Sequence, residues 1–218
     1  MEPTLPDASL LLPRSFFARE PRVVAREVLG CPLVSRKAGA LTGGVIVETE
    51  AYLGTDDPGS HASTRGITKR NAVMYGPPGH AYVYFTYGNH HMLNFVCEPE
   101  GTAGAVLVRA VRPLWGIGEM TRRRGGRTLG ELANGPGKLT AALAIDLSDN
   151  ACPLNEMGIF VYDAPRVVDA QVVATGRVGL SNGHEHEYRY HLRDDPFVSR
   201  GRTGPCPSSV RRKNRSQT

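Results

Sequence analysis

The chain has 218 residues, 40% of them hydrophobic and 22% charged, which fits one globular domain large enough for a real core. No apolar run reaches the ~18 residues of a membrane span, and residues 1–13, acidic and proline-marked, do not read as a secretory signal. Of the net charge of +5, Arg211, Arg212, Lys213 and Arg215 supply four, so the body stands at only +1 and the tail reads as a disordered extension that attracts phosphate nonspecifically.

Pro21 to Leu29 reads as a short helix: Pro21 suits its first turn, Val24 and Val28 are four apart, and Gly30 is a natural stop. Strands are predicted at Pro32–Ser35 and Gly44–Leu53. The second carries the most informative stretch. By period-2 alternation Val45, Val47, Thr49, Ala51 and Leu53 share one face, and Ile46, Glu48, Glu50 and Tyr52 share the other. Carboxylates two apart on a strand lie roughly 7 Å from each other. Burying them unpaired costs several kcal/mol each, so the face is either solvated or holds a base that a reaction needs. The residues alone do not choose between Glu48 and Glu50.

Residues 54–80 form a long loop region, of the kind that is usually functional inside a compact domain. The turn-rich Gly54–Ser60 returns His61 toward the strand end. A carboxylate, a tyrosine and a histidine then converge, a set suited to holding a flat polar ring beside a base. Ala81–Thr86 and His90–Val96 read as strands joined by Tyr87-Gly88-Asn89. Tyr82 and Tyr84 share a face. Tyr87, a bulky aromatic at an exposed turn, has no burial rationale and is a candidate for insertion or stacking. Asn94 is an amide in a strand, satisfied by backbone or reading a ligand edge.

Ala103–Val111 is a further strand, with Leu107, Arg109 and Val111 on one face. Arg122, Arg123, Arg124 and Arg127 form a basic cluster that is either a phosphate contact or a solvated loop. Gly135-Pro136-Gly137-Lys138 opens a helix of about ten residues, whose free N–H groups could hold a phosphate. Gly158–Asp163, Val167–Val178 and Tyr188–Arg193 read as strands. The sum is mixed α+β with a mostly antiparallel sheet.

Other chemistries lack their signatures. The cysteines Cys31, Cys97, Cys152 and Cys206 contain no Cys-x-x-Cys pair, which fits a reduced cytoplasm. His184-Glu-His-Glu187 is not a His-Glu-x-x-His motif and follows a turn signal, so no metal is expected. There is no P-loop, nucleophile elbow or Gly-x-Gly-x-x-Gly fingerprint.

Glu48-Thr-Glu-Ala-Tyr-Leu-Gly54, His61, Tyr82-Val-Tyr84, Tyr87-Gly88, Asn94, Leu107-Val-Arg109 and Gly135-Pro-Gly-Lys-Leu139 together resemble the alkyladenine (3-methyladenine) DNA glycosylase family, in order and across roughly residues 14–200. The resemblance implies a single domain over 14–200; residues 1–13 are expected to be a flexible segment and 201–218 a basic, disordered tail. It implies a curved antiparallel sheet, flanking helices and a protruding β-hairpin. It implies a base-excision repair enzyme that flips an alkylated or deaminated purine out of double-stranded DNA. Glu50 resembles the general base that activates water, and Arg109 the arginine beside it. Tyr52, His61 and Tyr84 resemble the rings that hold the base, Asn94 the gate against guanine, and Tyr87 the residue that fills the vacated gap. Tyr82 and Lys138 are candidates for DNA or phosphate contact. No lysine stands near the Glu50 strand, so hydrolysis without strand-cleaving lyase activity is expected. The expectation is a cofactor-free monomer, cytoplasmic or nucleoid-associated. The alternatives are a noncatalytic reader of damaged DNA and, last, a sugar glycosidase, for which two same-face residues of one strand are poorly placed.

Overall fold

A computed structural model describes residues 2–63, 66–86 and 88–201. Tyr87 and the basic residues of the tail lie outside these described residues. Helix α1 (Arg14–Phe17) and helix α2 (Pro21–Glu27) precede β1 (Pro32–Lys37) and β2 (Ala40–Tyr52). The hairpin β3 (Ala81–Thr86) and β4 (His90–Val96) is followed by β5 (Ala105–Trp115), α3 (Ile117–Arg123) and α4 (Pro136–Leu143). Three short strands follow: β6 (Ile159–Val161), β7 (Val172–Thr175) and β8 (Arg189–Leu192). Among the described residues the architecture is a single mixed α/β domain with four helices on an open antiparallel sheet. Its strand order is β3-β4-β5-β2-β1-β6, and β8 joins β2 with β7 outside it. Among the described residues no helix is long and apolar enough to cross a membrane.

Helix α2 begins where the sequence signals it. The Glu20 carboxylate accepts from the Val23 N–H at 3.3 Å, Pro21 occupies the first turn, and Gly30 takes a left-handed φ of +87° after the end. Its Val24 and Ala25 are buried against the sheet, and Thr49 Oγ1 donates to the Ala25 carbonyl at 2.8 Å, tying the helix to β2. Helix α4 packs chiefly on β4 and β5. Thr140 Oγ1 donates to the His91 carbonyl at 2.9 Å, so the helix braces the returning strand of the hairpin.

β2 is the long central strand that organises everything else. β5 pairs along one edge of it from Gly43 to Tyr52. On the other edge β1 pairs as far as Val45, and β8 takes over from Glu48 to Glu50. The β2–β5 register slips between Ile46 and Glu48 and again between Glu48 and Thr49. These irregularities correct the simple alternation. Ile46 belongs to the main core with Ala51, Val106 and Val108, not to the face of Glu48 and Glu50. Val111 likewise joins that core, whereas Leu107 and Arg109 line a cavity. A slip of one residue reverses side-chain direction, so each strand changes face at the point where the carboxylates begin.

Other departures have local causes. The expected strand Val167–Val178 is paired only over Val172–Thr175, because Asp169–Gln171 forms a one-turn 3₁₀ helix and the chain leaves the sheet at Gly176. Arg122 and Arg123 stand on α3 rather than in a loop, both bonded to Glu119. Arg123 also donates to the carbonyls of Ala142 and Lys37, and Arg124 to that of Leu132, so these two staple the fold. Parts of the lead-in 2–13 touch the sheet, although Asp7–Leu10 are exposed. Leu12 is buried, Leu11 bridges to Tyr162, and Trp115 Nε1 donates to the Pro3 carbonyl at 2.7 Å.

Candidate active site

The hairpin, β5, the end of β2 and the loop carrying His61 enclose a cavity of about 280 Å³. That is near the small end of ligand cavities, ~300 Å³ and upward, and suits one flat bicyclic ring. Tyr52, His61, Tyr82, Tyr84, Asn94 and Arg109 all line it. Strand geometry explains the convergence: Tyr82 and Tyr84 alternate on β3, Asn94 sits opposite Tyr82 on β4, and Leu107 sits opposite both Asn94 and Glu50.

The aromatic wall is interlocked. The His61 ring meets Tyr84 edge-on with centroids 4.8 Å apart, and its Nδ1 lies 3.0 Å from the Tyr82 hydroxyl. Burial, and then the charge of Arg70, hold His61 below the ordinary histidine range, so its imidazole is neutral at pH 7. Burial pushes the Tyr82 hydroxyl up to about 12, and it remains protonated. Tyr82 is only 1% exposed, which places it in the cavity wall rather than on an outer surface. Asn94 is buried, and its Nδ2 donates to the Tyr82 carbonyl at 3.0 Å. Lys138 does not reach the cavity: its Nζ donates to Asn134 Oδ1 at 2.8 Å in the first turn of α4, whose Pro136 does line the cavity.

Both carboxylates of β2 are fully buried. Glu50 stands one layer behind the cavity wall, gripped by three residues that form it. Its Oε1 accepts from the Val178 N–H at 2.7 Å and faces Arg109 Nη1 at 3.1 Å, while its Oε2 accepts from the Tyr52 hydroxyl at 2.8 Å. Burial, with the Glu50 charge beside it, pushes the Tyr52 hydroxyl far above the ordinary tyrosine range, so Tyr52 serves Glu50 as a donor. A carboxylate has about four lone-pair sites, and the three donors leave one for a further hydrogen-bonding partner.

Glu48 is more heavily tied. Arg109 Nε and Arg189 Nε reach its Oε1 at 2.8 and 2.7 Å, the Ser199 hydroxyl donates to Oε1 at 2.8 Å, and the Ser199 N–H donates to Oε2 at 2.6 Å. Burial works against its charge, but Arg109, Arg189 and the Ser199 N–H outweigh that, and Glu48 lies below the ordinary carboxylate range. Burial likewise opposes the charge on Arg109, and Glu50 and Glu48 overcome it, so that guanidinium is held charged. Two carboxylates and two guanidiniums thus form a neutral, desolvated cluster, the arrangement that makes buried charge tolerable.

Sequence reasoning missed Arg189, Ser199 and Val178. Arg189 had a signal, a charged residue within a predicted strand. Val178 acts through its backbone N–H, which no side-chain pattern reports. Nor did the sequence choose between the two carboxylates: Glu48 is saturated by four donors, whereas Glu50 touches the cavity wall on three sides. The His184–Glu187 segment is a turn, with the His186 ring stacked 5.0 Å from Tyr188.

The sequence model of a family described as methylpurine-DNA glycosylase matches residues 15–196. A protein of Carboxydothermus hydrogenoformans named "Putative 3-methyladenine DNA glycosylase" is 47% identical over 192 residues, covering 88% of this chain and 100% of that protein. Proteins of the same name from Prosthecochloris aestuarii (43% identity, 92% of this chain and 95% of that protein) and Rhodopseudomonas palustris (44%, 90% and 92%) match over nearly their whole lengths. The match of the family over 15–196, together with these relatives, makes this chain a member of the methylpurine-DNA glycosylase family.

Proposed function

We propose that this glycosylase flips an alkylated or deaminated purine out of duplex DNA into the aromatic cavity and hydrolyses its N-glycosidic bond with a water activated by Glu50. The observation that carries the reading is the grip on Glu50 by Tyr52, Val178 and Arg109 at the cavity wall. Three fixed donors orient the carboxylate and leave one lone pair for the proton of a water held among them. The water oxygen attacks C1′, the C1′–N bond breaks, its electron pair leaves with the purine, and Glu50 takes the water's proton. The products are a free base and an abasic site.

The surrounding residues suit the leaving group. Tyr52, Tyr84 and His61 offer flat or edge-on contacts to a purine, and a neutral His61 adds no repulsion toward a cationic methylated base. Asn94 projects an amide that can reject a purine bearing an extra exocyclic group, because a mismatched buried polar group costs about 1–3 kcal/mol. Arg109, charged beside Glu50, keeps the pair neutral before the reaction. No lysine is found among the described residues lining the cavity, which favours hydrolysis over a Schiff-base lyase route. Tyr87 at the hairpin turn would fill the space left by the flipped nucleotide. The enzyme acts as a monomer on damaged double-stranded DNA.

The test is base release under single-turnover conditions from duplexes carrying one hypoxanthine or one 7-methylguanine. The reading expects free base together with a strand that breaks only after alkali. Strand cleavage without alkali would overturn the monofunctional assignment. Tight, lesion-selective binding with no release would make the protein a reader of damage instead.

A further inference from the structure

Among the described residues the largest fully buried side chain is Arg177, which stands behind the cavity wall rather than in it. Its guanidinium forms a fork with Asp57, both bonds 2.6 Å long. It also donates to the carbonyls of Ala51 and Gly183 at 2.9 Å each. The rings of Tyr52 and Tyr188 flank it, with its Cζ 4.8 and 5.1 Å from their centroids. Two glycines make room for it. A Cβ on Gly59 would come within 2.6 Å of Nη2, and one on Gly183, where φ is +72°, within 2.9 Å.

We propose that Asp57 and Arg177 are a positioning pair for the catalytic carboxylate. The inference rests on the role given to Glu50 above. Three of the restraints on the reacting groups run through this one ion pair. Arg177 stacks on Tyr52, the ring whose hydroxyl donates to Glu50. Arg177 is the chain neighbour of Val178, whose N–H donates to Glu50 at 2.7 Å. Asp57 accepts from the N–H groups of Leu53 and Gly59 at 3.0 and 2.9 Å, and so shapes the turn that delivers His61. The pair therefore joins the 53–61 loop to the 176–183 segment, and these approach the end of β2 from different parts of the chain. Bidentate geometry makes the joint stiff. Without it the Val178 amide and the Tyr52 ring lose their common anchor. Displacing a catalytic group by about 1 Å can cost roughly a hundred-fold in rate.

The experiment compares wild type with Asp57→Asn/Arg177→Met and with Gly59→Ala. The double variant removes both charges at similar size, so no unpaired charge is left buried. It also leaves the Ala51 and Gly183 carbonyls without their donors, which lowers its melting temperature. Gly59→Ala keeps both charges and crowds Nη2, which supplies a second reading if the double variant does not fold. Melting temperature is measured for each. Single-turnover release from a hypoxanthine duplex is then followed over a range of enzyme concentrations, which separates the saturating rate from the half-saturating concentration. The proposal expects the saturating rate to fall roughly ten-fold or more in each folded variant, with half-saturation moving less than about three-fold. Saturating rates within about two-fold of wild type, or losses of rate and affinity in proportion, overturn it. No release by the wild type overturns the glycosylase reading and this inference with it. Release by the wild type with unaffected variants overturns this inference alone.

Discussion

Replacing Glu50 by Gln changes one oxygen to an amide and removes one charge, and the surrounding donors dictate how the new side chain must sit. Oε1 faces two donors, the Val178 N–H and Arg109. An amide nitrogen there would set donor against donor. The substituted side chain therefore keeps its oxygen toward Val178 and turns its amide toward the Tyr52 hydroxyl, which reverses its own hydrogen bond. The geometry survives. The electrostatic change is one uncompensated positive charge among Arg109, Arg189 and Glu48, softened because Arg109 retains Glu48 at 2.8 Å. Breaking a buried pair outright costs ~3–5 kcal/mol; with one partner kept, a loss of about 1–3 kcal/mol in stability is expected. The variant should fold, with a lowered melting temperature. Its chemistry should fail more severely, since the amide cannot accept the water's proton. Removing a general base costs roughly 10²–10⁴-fold, or about 3–5 kcal/mol of barrier at 1.36 kcal/mol per factor of ten. Single-turnover release from a hypoxanthine duplex measures the rate, and fluorescence anisotropy on the same duplex measures binding. Excision within about ten-fold of wild type, with binding intact, refutes the assignment of Glu50 as base.

The other expectations concern pH, the hairpin turn and the tail. Because His61 titrates below an ordinary histidine when folded, the unfolded chain takes up that proton first, so stability falls as pH drops through about 6.5. His61→Asn should flatten this acid loss in melting temperature between about pH 7 and 5, and an identical profile would show that His61 is not the source. Tyr87→Ser should weaken binding to a lesion duplex more than to the matching single strand; equal losses on both would count against wedging. Deleting residues 211–218 should reduce the slope of log affinity against log salt by up to about 0.9 for each phosphate that the tail neutralises. An unchanged slope would mean that the tail does not touch the backbone.

Local periodicity carried much of the fold. The bounds of β3 and β4 follow from alternation around a short turn, and the start of α2 follows from Pro21 in its first turn. The spacing Glu48, Glu50, Tyr52 already required one polar face on one strand, and the structure keeps it. The local rule failed where the register slips: Ile46 and Val111 turn into the core because β2 and β5 change face together. A bulge is a property of two paired strands, and neither strand's sequence declares it alone.

What the sequence determined, then, is which side chains can act: two carboxylates, three rings, an amide and an arginine at spacings that one sheet can gather. What only the tertiary structure decided is how their charges are made tolerable. Arg189 reaches Glu48 from 141 positions away, Val178 reaches Glu50 from 128, and Arg177 meets Asp57 across 120. Burial in low dielectric makes an unpaired charge costly wherever its partner lies along the chain. The partners are therefore chosen by proximity in the folded molecule, and no local period in the sequence reports them.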